Sequence, residues 1–143
     1  MRLYLVHHAD AVGPDVDPQR PLSSHGAAHA AAVAEKAKLS GCAPAAIWHS
    51  GKLRARQTAD PFLRVCQPFA EFKMVRGLLP DDPPALIQDT LQHETRDVML
   101  VGHMPHMASL LQVLTGEPRQ FPLHGIVALE RNGEKWEERW RAE

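Results

Sequence analysis

Two short apolar runs, each ending in histidine, constrain this chain more than any other feature. Leu3-Tyr4-Leu5-Val6 leads directly into His7-His8, and Val98-Met99-Leu100-Val101-Gly102 leads into His103. Both are short, and the first mixes a β-branched with an aromatic residue, so both read as buried strands. A strand that delivers titratable groups to the mouth of a loop is where open α/β sheets place their chemistry. Side chains alternate along a strand, so His7 and His8 start out on opposite faces, and only a turn at the strand end could bring both to one pocket.

The intervening sequence supplies helices and loops in alternation. Residues 9–21, with Gly13, Pro14, Pro18 and Pro21, form a loop. Ser23 or Ser24 is suited to cap an alanine-rich helix over Gly26 to Lys38, and Gly41 stops it. A weak strand, Ala45 to Trp48, precedes His49-Ser50-Gly51 and a helix over Lys52 to Ala59. Pro61 should bend or restart that helix, with Phe62 to Val65 continuing it. Pro68 to Val75 allows a third strand. Gly77 to Pro84 is a loop long enough to reach over a site, and Ala85 to Gln92 is a short helix. Pro105 opens a helix over His106 to Leu114 that Gly116 ends. Gly125 to Arg131, Asn132-Gly133 and Lys135 to Trp140 predict a hairpin with a type I′ turn. Trp136 and Trp140 share a face if that last run is a strand, which suggests packing.

Strands alternating with helices and a closing hairpin predict an α/β fold: a three-layer α/β/α sandwich on a mostly parallel mixed sheet. The 143 residues suit one domain over 1–143, without repeats or low-complexity blocks. With 16 basic against 17 acidic side chains, nothing points to nucleic acid or an anionic membrane as partner. Cys42 and Cys66 have no framework spacing and read as reduced thiols. With neither a signal-peptide pattern nor a membrane-length apolar run, the expected location is the cytoplasm.

Parallel strands present their carboxyl ends on one edge, so His8 and His103 could meet there, with Arg54 at the start of the helix after the second strand. Arg20 lies in the loop leaving the first strand. Two imidazoles, two guanidiniums and a helix N-terminus make a compact site for a dianion, and a phosphoryl group is the natural ligand. A neutral imidazole can attack phosphorus in line while the other groups stabilise the equatorial oxygens.

Four motifs then resemble, in order, those of the histidine phosphatase superfamily, with its phosphoglycerate-mutase-like fold, and most closely its small phosphohistidine phosphatase branch. They are Leu5-Val6-His7-His8-Ala9, Arg20-Pro21-Leu22-Ser23, Ser50 to Ala59, and Val101 to Pro105, with Gly77 to Asp82 resembling the branch's third-strand loop. The resemblance runs nearly end to end. It implies that His8 is the phosphorylated nucleophile, that Arg54 and Arg20 grip the phosphoryl group, and that His103 stabilises the transition state. His7 stands where the superfamily usually carries arginine, and Gly51 where it carries proline. An imidazole lacks the bidentate fork of a guanidinium, and losing one charge-assisted hydrogen bond of about 1.5–3 kcal/mol predicts a rate penalty of roughly ten- to a hundredfold.

For a general acid the sequence offers Asp81, Asp82 and, further back, Glu71. A phosphohistidine leaving group needs little acid assistance, because its imidazole titrates near neutrality. Asp81 and Asp82 also read as turn residues, Arg56 as surface, and His7 either as pocket lining or as a satisfied strand-end residue. Of the nine histidines, His25 with His29 and His103 with His106 have helical spacing, but neither pair has a neighbouring ligand to complete a metal site. The expectation is therefore a phosphatase without metal or cofactor. Its substrate would be a phosphorylated protein, such as a phosphohistidine-bearing signalling domain, or a small phosphorylated molecule. A phosphate-binding pseudophosphatase disabled by His7 and a small-molecule phosphomonoesterase are the alternatives.

Overall fold

A computed structural model describes residues 1–143. Its elements are β1 (Arg2–His7), α1 (Ser24–Leu39), β2 (Ala46–His49), α2 (Leu53–Cys66), β3 (Glu71–Met74), α3 (Pro84–Gln92), β4 (Val98–Gly102), α4 (His106–Thr115), β5 (Ile126–Asn132) and β6 (Lys135–Ala142). The strands form one sheet in the order β3-β2-β4-β1-β5-β6. The first four are mutually parallel, and β5 and β6 run antiparallel. This is the mostly parallel mixed sheet with a terminal hairpin that the sequence predicts.

Alternation along the central strands divides the core in two. Leu3, Leu5, Leu100, Val98, Val127 and Leu129 face one side and pack with Ile87 and Leu91 of α3 and Leu110 and Leu111 of α4. Tyr4, Val6, Met99, Val101, Ile126 and Ala128 face the other and pack with Val33 and Ala34 of α1 and Ala59 and Phe62 of α2. Both faces of β1 and β4 are buried, which is why their sequences are apolar throughout rather than alternating. No helix is long and apolar enough to cross a membrane.

Several local expectations are corrected. Helix α2 runs unbroken through Pro61, whose ring is buried. The third strand is only four residues long, because β3 pairs with β2 alone. Pro105 is the cap rather than the first helical residue. The hairpin turn lies one residue later than expected: Asn132 pairs with Lys135, so Gly133 and Glu134 are its central residues. Of these only Gly133 has positive φ, at 68°, the pattern of a type II′ rather than a type I′ turn. A register shift opposite Ala128 and Leu129 skips Arg139 and reverses the facing of the β6 residues beyond it. Trp136 therefore packs in the α3/α4 core while Trp140 packs against Tyr4 on the other face, at 6.0 Å between ring centroids. Both tryptophans pack, but on opposite faces. The loop 77–84 is anchored by the fully buried Leu78, whose carbonyl lies against Gly102 at the end of β4.

Candidate active site

The carboxyl ends of β1, β2 and β4 lie side by side and deliver His7 and His8, Ser50, and His103. The sheet continues one residue past β1, because the His8 N–H donates to the Gly102 carbonyl at 2.9 Å. The chain turns there, and the rings of His7 and His8 meet edge to face at 4.7 Å. The His8 and His103 rings are 5.1 Å apart. The structure thus brings His7, His8 and His103 into one cluster.

Hydrogen bonds decide which ring nitrogens are free. His8 Nδ1 lies 2.7 Å from the Ala9 carbonyl, which can only accept, so this nitrogen carries the proton and Nε2 keeps its lone pair. His103 Nε2 lies 2.6 Å from Ser50 Oγ, and that oxygen already accepts the Lys52 N–H at 3.3 Å. The Ser50 hydroxyl keeps its proton to donate to Nε2, and in that arrangement His103 is protonated on Nδ1, a buried atom without another partner. With Ser50 as donor, a lone pair on His8 and an N–H on His103 stand at the ends of adjacent strands, on rings 5.1 Å apart.

The guanidiniums come from outside the sheet. Arg54 occupies the first turn of α2, and its Nε is buried and unpartnered. Arg20 has φ of 50°, and its Nε donates to the Val12 carbonyl at 3.0 Å, leaving its terminal nitrogens free. The remaining residues of that α2 motif hold the loops in place: Thr58 Oγ accepts the Ala9 N–H at 2.9 Å, and Gln57 Oε1 accepts the Leu22 N–H at 2.8 Å.

Electrostatics mark the character of the cluster. Burial first, then the charges of His8 and His124, lower the His7 pKa to about 3. Burial likewise lowers His8 to about 4, opposed by its bond to Ala9 and assisted by Arg54, His124 and Arg20. His103 falls to about 3 through burial, His8 and Arg54. The charges that act on these three rings are cationic, and Arg20 also acts on Arg54. Like charges converge here around free donors and one free lone pair. That arrangement suits an anion with an electrophilic centre.

The candidate acids make local bonds or are exposed. Glu71 accepts the Trp48 indole N–H at 2.8 Å, and Asp82 closes a turn by accepting the Leu79 N–H at 2.9 Å. Asp81 is exposed. Two residues escaped the sequence reading. Ser50 sits inside a motif, yet nothing in the sequence tells which ring it would orient. His124 follows β4 by 22 positions and lies beside the cluster only because β5 pairs with β1. One nitrogen each of His7, His8 and His124 lies within 4.8 Å of the others, a spacing open to a metal ion. The facing guanidiniums and the stacked arrangement of His7 on His124 favour an anion there instead. His25 and His29 stack on each other at 6.2 Å on α1, and His106 is buried with both ring nitrogens unpartnered.

Solved structures share this architecture. The protein histidine phosphatase SixA complexed with tungstate aligns with a TM-score of 0.87 at 21% identity, over 99% of this chain and 96% of that chain. A protein assigned as phosphohistidine phosphatase SixA from Agrobacterium tumefaciens aligns at 0.84 and 26% identity, over 99% and 97%. A protein assigned as an α-ribazole-5′-P phosphatase from Escherichia coli aligns at 0.75 and 16% identity, over 97% and 94%. No family model and no curated protein matches the chain. The fold is that of the histidine phosphatase superfamily, as the motifs imply.

Proposed function

We propose that this protein is a metal-independent phosphatase that acts through a phospho-His8 intermediate, most readily on phosphohistidine carried by another protein. One observation carries the reading: His8 presents a neutral Nε2 lone pair inside a ring of cationic and N–H donor groups. Only an anionic electrophile satisfies both. The likeness to phosphohistidine phosphatase structures supports the same conclusion.

In the first step the His8 Nε2 lone pair attacks phosphorus in line and the bond to the leaving group breaks, its electron pair departing with that group. Arg54, Arg20 and the His103 Nδ1–H meet the equatorial oxygens as charge redistributes. His7 adds a neutral donor. A phosphoimidazole that already carries a proton on its other ring nitrogen departs as neutral imidazole, and because imidazole titrates near 6.5 this form is accessible at neutral pH, so a carboxylic acid beside the site is dispensable. Water then attacks phospho-His8, the phosphorus–nitrogen bond breaks, and inorganic phosphate leaves with His8 neutral again.

A protein-borne phosphoryl group suits a chain whose ten elements leave no inserted cap domain between them. The free thiols Cys42 and Cys66 are in keeping with a reducing cytoplasm. The test is a single-turnover reaction with a radiolabelled phosphohistidine protein, comparing wild type with His8→Ala. Label that survives base, is lost in acid and is absent from the variant supports phospho-His8. Phosphate binding without label transfer or phosphate release would make the protein a reader of phosphoryl groups and overturn the proposal.

A further inference from the structure

A neutral imidazole is ambiguous in a way that a guanidinium is not. It donates from one nitrogen and accepts at the other, and its neighbours decide which is which. For His7, buried and neutral beside an oxyanion site, that choice sets the sign of its contribution. An N–H facing the anion attracts it, and a lone pair repels it.

His124 makes the choice. It lies in the connection between α4 and β5 with φ of 53°, a left-handed conformation uncommon outside glycine, asparagine and aspartate. That conformation turns its backbone N–H onto His7 Nδ1 at 2.9 Å. The His7 proton is thereby confined to Nε2. The side chain of His124 turns back as well: its Nδ1–H donates to the His8 carbonyl at 2.7 Å, tying the connection to the end of β1. The two rings stack at 4.8 Å between centroids and 14° between planes, which holds the His7 ring in orientation. One residue thus fixes the proton of His7, its plane and the strand end that carries the nucleophile.

We propose that His124 is a positioning residue that holds His7 as a fixed Nε2–H donor for the phosphoryl oxygens. This rests on the phosphoryl reading of the site, so its test uses readouts that need no turnover. The first is the ring 15N spectrum of the wild-type protein, with His7 assigned by its loss in His7→Gln. The second is affinity for inorganic phosphate by calorimetry, in wild type, His124→Val, His124→Gly and His124→Asn, each also combined with His7→Arg. A guanidinium donates from every nitrogen whatever its neighbour, so His7→Arg should remove the dependence on residue 124.

The expected spectrum places the His7 proton on Nε2 in wild type. In His124→Val, whose branched side chain disfavours positive φ, the His7 tautomers should mix and phosphate affinity should fall by about ten- to thirtyfold. Asparagine, which tolerates that backbone and carries a short donor, should restore most of the affinity, and glycine should fall between. With Arg at position 7 the same valine change should cost less than about threefold. Equal losses in both backgrounds, or a wild-type His7 protonated on Nδ1, would overturn the proposal. If the valine variant fails to fold, the wild-type spectrum and the glycine and asparagine pair decide it alone. A protein that binds phosphate in this manner without hydrolysing phosphohistidine would refute the phosphatase reading and leave the role of His124 standing.

Discussion

Replacing Gly26 with alanine should damage both stability and the site, although α1 itself would favour the change. Gly26 lies in the first turn of α1, and a Cβ there would sit 2.0 Å from the Asp10 carbonyl oxygen, 2.9 Å from its carbon and 3.0 Å from its nitrogen. All three are backbone atoms, so no side chain can swing aside. The loop must retreat by about 1 Å or more, the scale of displacement that overpacking typically forces at a cost of about 1–3 kcal/mol. The retreat also strains two bonds that Asp10 makes to the helix cap. The Ser23 N–H donates to its carbonyl at 3.0 Å, and the Ser23 hydroxyl donates to its carboxylate at 2.7 Å. Weakening them adds about 0.5–1.5 kcal/mol each if lost. Against this stands a gain of at most about 1 kcal/mol for alanine over glycine in a helix. The net expectation is a loss of about 1–5 kcal/mol, seen as a lower urea midpoint at unchanged m and a Tm lowered by several degrees. Asp10 is two residues from His8, so phosphatase turnover should fall further than stability does, by roughly ten- to a hundredfold. Gly13→Ala is the control. Nothing lies within 4 Å of its added Cβ and its φ is not positive, so it should be neutral or slightly stabilising. A Gly26→Ala protein as stable and active as wild type would refute the reasoning that the helix and the nucleophile loop share this contact.

Two further expectations concern the imidazoles. His7, His8 and His103 have folded pKa values of about 3, 4 and 3 against roughly 6.5 when unfolded, so between those limits the unfolded chain binds more protons. Stability should be full above about pH 6.5 and decline as pH falls through 5 toward 4. A urea midpoint unchanged between pH 7 and pH 4.5 would contradict that burial. The same shifts keep His8, the proposed nucleophile, neutral at pH 5, so kcat/KM should not fall with an apparent pKa of 6.5 for this residue. Ser50→Ala removes the hydroxyl that donates to His103 Nε2 in the phosphatase reading and should lower kcat by roughly tenfold while changing the unfolding free energy by less than about 1 kcal/mol. A variant with undiminished kcat would show that His103 does not depend on that bond.

Much of this was legible in the sequence because the relevant physics is local. β1 and β4 are buried on both faces, so their apolar runs are continuous and their ends abrupt. His8, Arg54 and His103 each sit at the start of a loop or helix directly after a strand, which topology alone sends to one edge. What escaped the sequence depends on contacts between distant segments or on single-residue insertions. His124 reaches the site from a connection whose path is set by β5 pairing against β1. Trp140 changed faces because one extra residue in β6 reverses the alternation, and nothing in Glu138-Arg139-Trp140 announces a bulge. The candidate acids each make a bond that the sequence does not announce, or none. Asp82 is drawn to the Leu79 N–H, and Glu71 to the Trp48 indole, so each is already committed to a structural partner.

The spacing of the reactive pair has a consequence for how such a protein can diversify. His8 and His103 leave neighbouring parallel strands at matched register, with His7 opposite Gly102 and the His8 N–H bonded to the Gly102 carbonyl. Their separation is set by the repeat distance of a β-sheet, which sequence drift in side chains leaves unchanged. The guanidiniums hang from a loop and a helix tip, where insertions and tilts are tolerated. Selection for a new phosphorylated substrate can therefore redraw the rim and regrip the phosphoryl group while the proposed nucleophile and stabiliser ride on an unaltered ruler.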